Sequence, residues 1–231
     1  MIVKNSPEIS VLLSTYNNQS SIESSIKSIL SQSYNDFELL IINDASDDRT
    51  LKKIKQFDDK RIRLFENKSN IGLTKSLNIL IGKSRGKYIA RQDADDVSLK
   101  ERFKIQKNYL VTKKLQFCST RAMSIGDNKK IPGLSFHLPD KLLFKYKNPH
   151  IHGTIFLEKT ILDAVGGYDE NFYFAQDFKL YQDLLRKNIK LARLSDVLYL
   201  LNTSNNISTN KKIEQKYYFE CAKNNLIPKV K

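Results

Sequence analysis

An apolar run is joined to three carboxylates in the stretch Lys87-Tyr88-Ile89-Ala90-Arg91-Gln92-Asp93-Ala94-Asp95-Asp96. The apolar run is typical of a buried strand, and ligands bind at the carboxyl ends of strands in an open α/β sheet. Carboxylates so close together repel one another, so we expect a divalent cation that prefers hard oxygen ligands, Mg²⁺ or Mn²⁺, to compensate them. An acidic loop that caps the next helix is the alternative interpretation of this stretch alone.

Three more apolar segments precede this strand and alternate with helical stripes. They predict strands at 8–14, 37–42 and 61–65. The stripes predict helices carrying Ile22, Ile26, Ile29 and Leu30, then Leu51 and Ile54, then Leu73, Leu77, Leu80 and Ile81. Ser20 and Glu23 have the spacing of a capping box before the first helix. The β-α-β-α-β-α-β order predicts an α/β fold with a parallel, right-handed sheet.

The second half of the chain contains both helix-like and strand-like patterns of apolar residues. We predict one helix with Leu99, Phe103 and Leu110 on one face, and a long irregular segment that includes Pro132, Gly133 and Pro139. Further strands are predicted at 115–123, 151–157 and 190–200, and further helices at 159–165, 176–187 and 211–224. Neither an internal repeat nor a linker interrupts the sequence, so we predict a single domain over residues 1–231.

Composition limits the function classes. The chain has 231 residues, is 40% hydrophobic and 28% charged, and carries a net charge of +14. This composition is globular, and the charge favours anionic partners: nucleic acid, acidic lipid surfaces or phosphorylated small molecules. The sequence has no nucleic-acid-binding motif and no apolar window long enough to span a membrane, and residues 1–7 lack the long apolar core of a signal peptide. Cys118 and Cys221 are expected to be free thiols, which places the protein in the cytoplasm.

Polar residues end three of the four predicted strands: Thr15-Tyr16-Asn17, Asn43-Asp44 and Asp93 to Asp95. In a parallel sheet these ends meet at one edge and can share a ligand. The first strand is not followed by Gly-x-Gly-x-x-Gly, which counts against a dinucleotide-binding fold. The sequence also lacks the phosphate-loop signature of the NTPases.

The order and spacing of several motifs resemble the family 2 glycosyltransferases over roughly residues 8 to 200. These motifs are Val11-Leu12-Leu13-Ser14-Thr15-Tyr16-Asn17, Asn43-Asp44-Ala45-Ser46-Asp47-Asp48, Asn70-Ile71-Gly72, Gly86 to Asp96, Arg102 with Gln106, His152-Gly153-Thr154, Gly166-Gly167-Tyr168-Asp169 and Gln176-Asp177. The resemblance implies an inverting, metal-dependent enzyme with the GT-A fold, whose mainly parallel central sheet is flanked by helices. It also implies a nucleotide-sugar-binding half (about 8–100), an acceptor and catalytic half (about 101–210) and a basic C-terminal helix (211–231).

The resemblance implies roles at the acidic stretch. Asp95 would be the principal ligand of Mn²⁺ or Mg²⁺, and Asp93 would lie nearer the ribose or a metal-bound water. Asp96 would orient them from behind. The cation would neutralise the charge that develops on the diphosphate leaving group.

The nucleotide contacts are also implied by the resemblance. Asp44 would accept a hydrogen bond from uracil, which favours a UDP-sugar, while Thr15, Tyr16 and Asn17 would line the same pocket. Lys75 would pair with a phosphate. The alternatives are an Asx-turn cap for Asp44, a core aromatic for Tyr16 and a solvated helix lysine for Lys75.

Asp177 is the candidate general base, because direct displacement needs a carboxylate that takes the acceptor's hydroxyl proton. The alternative is a charge favoured by the N-terminus of its helix. An acidic pair often occupies this place in the family, and Gln176 departs from it; glutamine can hydrogen-bond a sugar but cannot act as a base. His152 would contact the donor diphosphate or the acceptor, or else be a satisfied strand histidine.

The absence of a motif found in processive members of the family indicates the enzyme subclass. The chain has no Trp, and therefore no Gln-x-x-Arg-Trp motif of processive members. The resemblance then implies single addition of a hexosyl or N-acetylhexosaminyl group in capsule, O-antigen or lipooligosaccharide synthesis, with a lipid-linked saccharide acceptor. The net charge and the basic helix 211–224, with Tyr217, Tyr218 and Phe219, fit peripheral association with an anionic membrane surface at the inner face of the cell membrane.

Three expectations stay open at this stage. A polyprenyl phosphate could be the direct acceptor, and a non-catalytic binder of anionic polymer or membrane would explain the charge alone. The chain also ends soon after its basic helix, where family members often continue, so truncation is a further expectation.

Overall fold

The computed structural model describes residues 6–204 and 211–229. The strands are β1 (Ile9–Thr15), β2 (Phe37–Asn43), β3 (Ile62–Glu66), β4 (Tyr88–Asp93), β5 (Val97–Ser98), β6 (Phe117–Ile125), β7 (Lys130–Ile131), β8 (Phe156–Glu158) and β9 (Ala192–Asn202). The α-helices are α1 (Ile22–Leu30), α2 (Thr50–Ile54), α3 (Leu73–Lys83), α4 (Arg102–Lys113), α5 (Asp140–Leu143), α6 (Lys159–Asp163), α7 (Gln176–Arg186) and α8 (Lys212–Lys223). Two 3₁₀ turns lie at Leu134–His137 and His152–Thr154.

One sheet contains these strands in the order β3-β2-β1-β4-β8-β6-β9-β5, with β7 paired to β6. The pairs among β1, β2, β3 and β4 are parallel, as the alternation of strands and helices predicts. The second half of the chain contributes antiparallel pairs, β8 with both β4 and β6, and one parallel pair, β6 with β9. The predicted α/β class is confirmed. The single domain remains a prediction, which the shared sheet supports.

The two faces of the sheet bury two apolar clusters. Every residue of β1 and β2 is buried, because helices cover both faces. On one face, Val11 and Leu13 pack with α1, α2 and α4. On the other, Leu12 packs with α3, α6, α7 and α8. Because β1 pairs in parallel with both β2 and β4, the carboxyl ends of these three strands lie on one edge of the sheet.

The entrance to α1 differs from the predicted capping box. The helix begins at Ile22 after Ser21, and Ser21 makes no side-chain capping bond. The carbonyl of Asn18 instead accepts hydrogen bonds from the amides of Ser21 and Ile22, at 3.1 and 3.0 Å. A preceding turn, rather than a capping side chain, therefore satisfies the amides of Ser21 and Ile22 at the start of the helix.

The predicted strand at 151–157 is shorter in the structure. Its first part is the 3₁₀ turn His152–Thr154, and only Phe156–Glu158 is strand. Thr154 Oγ1 donates to the carbonyl of Ile151 at 2.9 Å. This local bond competes with a strand ladder. The first part of the predicted strand thus forms a turn that faces the end of β4.

Gly86 and Gly82 provide a matched test of the packing between β1 and the turn before β4. A Cβ on Gly86 would lie 2.5 Å from the Ser10 amide nitrogen and 2.7 Å from the Ile9 carbonyl carbon, whereas one on Gly82 would meet nothing within 4 Å. We expect Gly86→Ala to lower the free energy of unfolding by about 1–3 kcal/mol.

Gly82→Ala is the control. It removes glycine from a helix without a clash and should raise stability by about 0.5–1 kcal/mol. Urea unfolding of both variants measures the difference in their free energies of unfolding. Equal effects of the two substitutions would contradict the close packing of Gly86 against Ile9 and Ser10.

Candidate active site

A cleft of about 910 Å³ opens at the carboxyl ends of the parallel strands and is lined by both halves of the chain. Nine of the predicted site residues line it: Tyr16, Asn17, Asp44, Asp93, Asp95, Asp96, His152, Gln176 and Asp177. Thr15 and Lys75 are not among its lining residues. Thr15 is buried and its Oγ1 donates to Asn18 Oδ1 at 3.0 Å. Lys75 is exposed on α3, as a solvated helix lysine would be.

The acidic stretch ends β4 and turns into the cleft. Asp93 Oδ1 accepts a hydrogen bond from Arg91 Nη2 at 2.6 Å, and Asp96 Oδ1 accepts one from the amide of Asn202 at 2.7 Å. Burial raises the pKa of Asp95, and the negative charge of Asp93 raises it further. The same two causes raise the pKa of Asp96. Negative charge is therefore costly here, as the close spacing of the carboxylates predicts.

Arg91 is a cleft residue that sequence reasoning missed. Its guanidinium is 1% exposed, and besides Asp93 it donates to the carbonyls of Leu12 and Gln92. Its Nε has no hydrogen-bond partner among the described residues. This buried cation compensates part of the charge of Asp93, with which it is paired, and it acts to lower the pKa of Asp95. The signal in the sequence was an arginine directly after the apolar run Tyr88-Ile89-Ala90.

The donor set suits a hard divalent cation. Asp93 and Asp95 offer carboxylate oxygens, and a cation between them would relieve the repulsion that raises the pKa of Asp95. Within residues 6–204 and 211–229, three Asp, Glu, His or Cys side chains are not grouped closely enough to form a metal site by themselves. The arrangement fits Mg²⁺ or Mn²⁺, which usually takes one or two carboxylates and completes its shell with phosphate oxygens and water.

Gly153 gives Asp93 its room. A Cβ at this position would clash with Tyr199 Oη and would lie 2.7 Å from Asp93 Oδ2. Tyr199 Oη also accepts a hydrogen bond from the Asp93 amide at 3.1 Å. The backbone of the 3₁₀ turn therefore packs directly against Asp93, because Gly153 has no side chain, and this contact fixes the position of Asp93.

Asp44 is buried at the base of the cleft and organises the loop before α3. Its Oδ1 accepts from Asn67 Nδ2 at 2.7 Å and from the Ile71 amide at 3.0 Å, and its Oδ2 accepts from the Gly72 amide at 2.9 Å. These partners differ from the Asx-turn cap of α2. Because a carboxylate has about four acceptor sites, one remains for a ligand.

Asp177 lies at the start of α7 on another wall of the cleft. The chain enters this helix through Ala175 in the left-handed region, with φ of 51°, a conformation that costs a non-glycine residue roughly 1 kcal/mol. Asn148 Nδ2 donates to Asp177 Oδ2 at 2.6 Å, and the Phe178 amide donates to Oδ1 at 2.8 Å. Burial raises the pKa of Asp177 to about 6. That value suits a proton acceptor near neutral pH.

His152 also faces the cleft but is held as a neutral ring. Its Nε2 shares a hydrogen bond of 2.7 Å with the Tyr168 hydroxyl. Burial lowers the pKa of His152 to about 3, and the nearby Arg91 acts in the same direction. His152 can therefore contact a ligand as a hydrogen-bonding group rather than as a cation.

Distant segments add lining residues that spacing could not indicate: Tyr146, Asn148, Tyr173, Gln215, Lys216 and Phe219. The last three come from α8. Phe219 stacks on Phe178 at 4.0 Å between ring centroids, and Tyr218 is 8% exposed, so both dock the helix onto the protein. Of the three aromatic residues predicted to favour a membrane, Tyr217 alone is exposed, at 43%.

Comparison with known families identifies this arrangement. The sequence model described as Glycosyl transferase family 2 matches residues 10–168. The chain belongs to this family. The matched residues include all of β1 except Ile9, the acidic stretch and the His152–Thr154 turn. The resemblance predicted from the motifs is confirmed.

Two curated relatives show the range of the similarity. The chain is 35% identical to EpsE of Bacillus subtilis over 167 residues, 70% of this chain and 60% of EpsE. It is 29% identical to the UDP-Glc:alpha-D-GlcNAc-diphosphoundecaprenol beta-1,3-glucosyltransferase WfgD of Escherichia coli over 183 residues, 78% of this chain and 70% of WfgD. The chain thus spans about 60% of the length of the first relatives that it matches.

Solved structures share the fold. TarS of S. aureus, residues 1–349 in complex with UDP-GlcNAc, superposes with a TM-score of 0.75 at 19% identity, over 86% of this chain and 59% of that one. The mannosyltransferase PcManGT of Pyrobaculum calidifontis, in complex with GDP-Man and Mn²⁺, superposes with a TM-score of 0.73 at 16% identity, over 93% of this chain and 62% of that one. The GT-A fold is confirmed.

Substitution of Gly153 tests whether the close packing of its backbone against Asp93 positions that carboxylate. We expect Gly153→Ala to weaken binding of a nucleoside diphosphate with Mn²⁺ about tenfold, since displacing one charged contact costs about 1.5–3 kcal/mol. Isothermal titration gives the affinity.

Gly133→Ala is the control, because its Cβ would approach only the Lys130 carbonyl, at an ordinary 3.8 Å. If Gly153→Ala binds as tightly as Gly133→Ala, the close approach does not position Asp93.

Proposed function

We propose that the protein transfers a hexosyl or N-acetylhexosaminyl group from a UDP-sugar to a hydroxyl of a saccharide acceptor, with inversion and one addition per acceptor. One observation carries the proposal: a single cleft holds the carboxylates that end β4 on one wall and Asp177 on another. The first group suits a metal-bound diphosphate, and the second suits proton removal from an acceptor.

The donor would lie along the carboxyl ends of the strands. Asp93 and Asp95 would hold Mn²⁺ or Mg²⁺, which when bound neutralises charge on the leaving diphosphate. Asp44, Tyr16 and Asn17 would bind the nucleotide, with the remaining acceptor site of Asp44 toward the uracil ring. The substrate named for WfgD and the ligand named for TarS support a UDP donor. The GDP-Man bound to PcManGT makes GDP the nucleotide to compare.

Asp177 would take the acceptor's hydroxyl proton while the new bond to the sugar's anomeric carbon forms and the bond to the diphosphate breaks. Asn148 would position it: the His150 amide donates to Asn148 Oδ1 at 3.0 Å, which turns Asn148 Nδ2 toward Asp177. Gln176 and His152 would hydrogen-bond sugar or phosphate oxygens. The pKa of His152 keeps it neutral.

We further propose a lipid-linked saccharide acceptor in bacterial surface-polysaccharide synthesis, and therefore a cytoplasmic protein peripheral to the inner face of the cell membrane. The diphosphoundecaprenol acceptor in the name of WfgD supports this. Among the described residues, the helices are too short and polar to cross a bilayer. Product analysis with a lipid-linked saccharide and with polyprenyl phosphate distinguishes the two acceptor classes.

Donor binding is tested by thermal unfolding. UDP with Mn²⁺ should raise the melting temperature, because a ligand at about 100 times its Kd stabilises by about 2.7 kcal/mol. Asp95→Ala should abolish this shift. Asp58→Ala removes an exposed carboxylate outside the cleft and should leave it unchanged.

Two results would contradict the proposal. The first is the absence of any shift with UDP or GDP. The second is steeply salt-dependent binding of an anionic polymer that survives Asp95→Ala and Asp177→Ala, which would favour a non-catalytic binder.

The base is tested by the pH dependence of kcat/KM. Because the pKa of Asp177 is raised to about 6, its proton-accepting form is lost as pH falls through that value, and the rate should fall with it. Asn148→Ala removes a hydrogen bond that favours the carboxylate form, so the midpoint should move to higher pH.

Asn171→Ala is the matched control, since it removes a similar bond of 2.9 Å to Asp169 Oδ1 outside the cleft. Its profile should match the wild type. If Asn148→Ala leaves the midpoint of the pH profile unchanged, Asn148 does not position Asp177. If Asp177→Asn remains active, Asp177 is not the base.

A further inference from the structure

Exposed apolar side chains are concentrated on two segments that flank the cleft, residues 134–147 and 211–227. We call their joint outer surface the basic–apolar face. Its large exposed apolar residues are Leu134, Leu138, Leu142 and Tyr146 on the first segment, and Ile213, Tyr217, Leu226 and Ile227 on the second. Leu134 is 91% and Ile213 84% exposed. Water-facing side chains of this size favour an apolar partner.

The two segments meet at two cavities. Tyr146 and Lys216 both line the proposed catalytic cleft. A second cavity of about 380 Å³ lies between α5, α7 and α8. Three lysines line it, Lys141, Lys145 and Lys223, together with Phe144, Gln182, Leu185, Leu191 and one carboxylate, Asp140, which is paired with Arg193. It therefore combines an apolar wall with cations, which suits an amphiphilic anion.

The charge of the face is unbalanced. The two segments carry seven lysines (Lys141, Lys145, Lys147, Lys211, Lys212, Lys216 and Lys223) and three carboxylates (Asp140, Glu214 and Glu220). Each carboxylate has a basic partner: Asp140 with Arg193 at 2.6 Å, Glu214 with Lys211 at 3.4 Å and Glu220 with Lys223 at 3.4 Å. The face is therefore positive overall, and its carboxylates are already engaged.

We infer that the basic–apolar face docks on an anionic lipid bilayer, with a phospholipid headgroup in the cavity rimmed by Lys141, Lys145 and Lys223. Lysines near an anionic leaflet gain electrostatic attraction, while Leu134, Leu138 and Leu142 enter the headgroup region. A nucleic acid would use the lysines but leave these leucines in water. The apolar side chains therefore favour a bilayer.

Docking in this way places the cleft beside the membrane, because Tyr146 and Lys216 belong to both. The purpose of the docking rests on the proposed function, since a lipid-linked acceptor is what brings the enzyme to a bilayer. Binding to vesicles can nevertheless be measured without catalysis.

Co-sedimentation with phosphatidylglycerol vesicles, and with phosphatidylcholine vesicles, tests the inference. The full chain should bind the first and not the second. The variant Lys141→Glu/Lys145→Glu/Lys223→Glu should bind phosphatidylglycerol at least tenfold more weakly. Leu134→Ser should reduce the binding that remains at high salt, and its exposed position makes unfolding an unsuitable explanation for that loss.

The matched control is Lys27→Glu/Lys52→Glu/Lys113→Glu. It makes the same change in net charge with lysines in the last turns of α1, α2 and α4, the helices that cover the opposite face of the sheet. We expect less than a twofold change in its vesicle affinity. Equal losses in the two triple variants would overturn the inference in favour of bulk charge.

Two more outcomes would overturn it: absence of wild-type binding to phosphatidylglycerol vesicles, and tight nucleic-acid binding that the Lys141→Glu/Lys145→Glu/Lys223→Glu variant loses while vesicle binding stays. UDP affinity is measured in parallel and should be unchanged in every variant. Failure of UDP binding in the wild type would instead count against the proposed function.

Discussion

A fully buried guanidinium behind the acidic stretch is the constraint on which the site depends. Arg102 Nε donates to Gln106 Oε1 at 2.9 Å, its Nη1 to Ser98 Oγ at 2.8 Å, and its Nη2 to the Arg91 carbonyl at 2.8 Å. Burial lowers the pKa of Arg102 to about 10, so it remains charged at neutral pH. Burial of a cation is costly, and hydrogen bonds to its donors offset that cost. These bonds tie α4 and β5 to the strand that carries Asp93.

The same polar layer determines where β4 ends. Gln106 Nε2 donates to the Thr154 carbonyl at 2.8 Å, and Gln92 Nε2 donates to the Asp96 carbonyl at 2.9 Å. The chain must turn after Asp93 because the carbonyl of Asp96 is held back against Gln92. The carboxylates therefore project into the cleft from a turn whose backbone is fixed from behind. The motif around Arg102 and Gln106 supports the site without lining the cleft.

The sequence predicted those parts of the protein in which a local pattern decides the structure. β1 and β2 are buried on both faces, so continuous apolar runs identified them, and the carboxyl ends of parallel strands placed Asp44 and Asp93 together. It could not place side chains that long-range packing selects. Asn148 reaches the cleft from an irregular segment. Lys216 lies on α8, a predicted helix whose placement over the cleft depends on packing with distant residues. Lys75 had a suitable type and segment, but its position on α3 directs it to solvent.

The surroundings of Asp95 at the end of β4 and of Asp177 at the start of α7 suit these two carboxylates to different chemistry. Burial raises the pKa of both Asp95 and Asp177, but Asp95 also lies beside Asp93, whereas Asp177 receives hydrogen bonds from Asn148 and the Phe178 amide. Repulsion between neighbouring carboxylates is relieved by a shared cation, so the first group suits metal binding. A hydrogen-bonded carboxylate with a pKa of about 6 suits proton transfer. The charge of Asp93 also raises the pKa of Asp177, so neutralising Asp93 favours the proton-accepting form of Asp177. The protonation of Asp177 therefore depends on the charge at the end of β4, although the two carboxylates come from different halves of the chain.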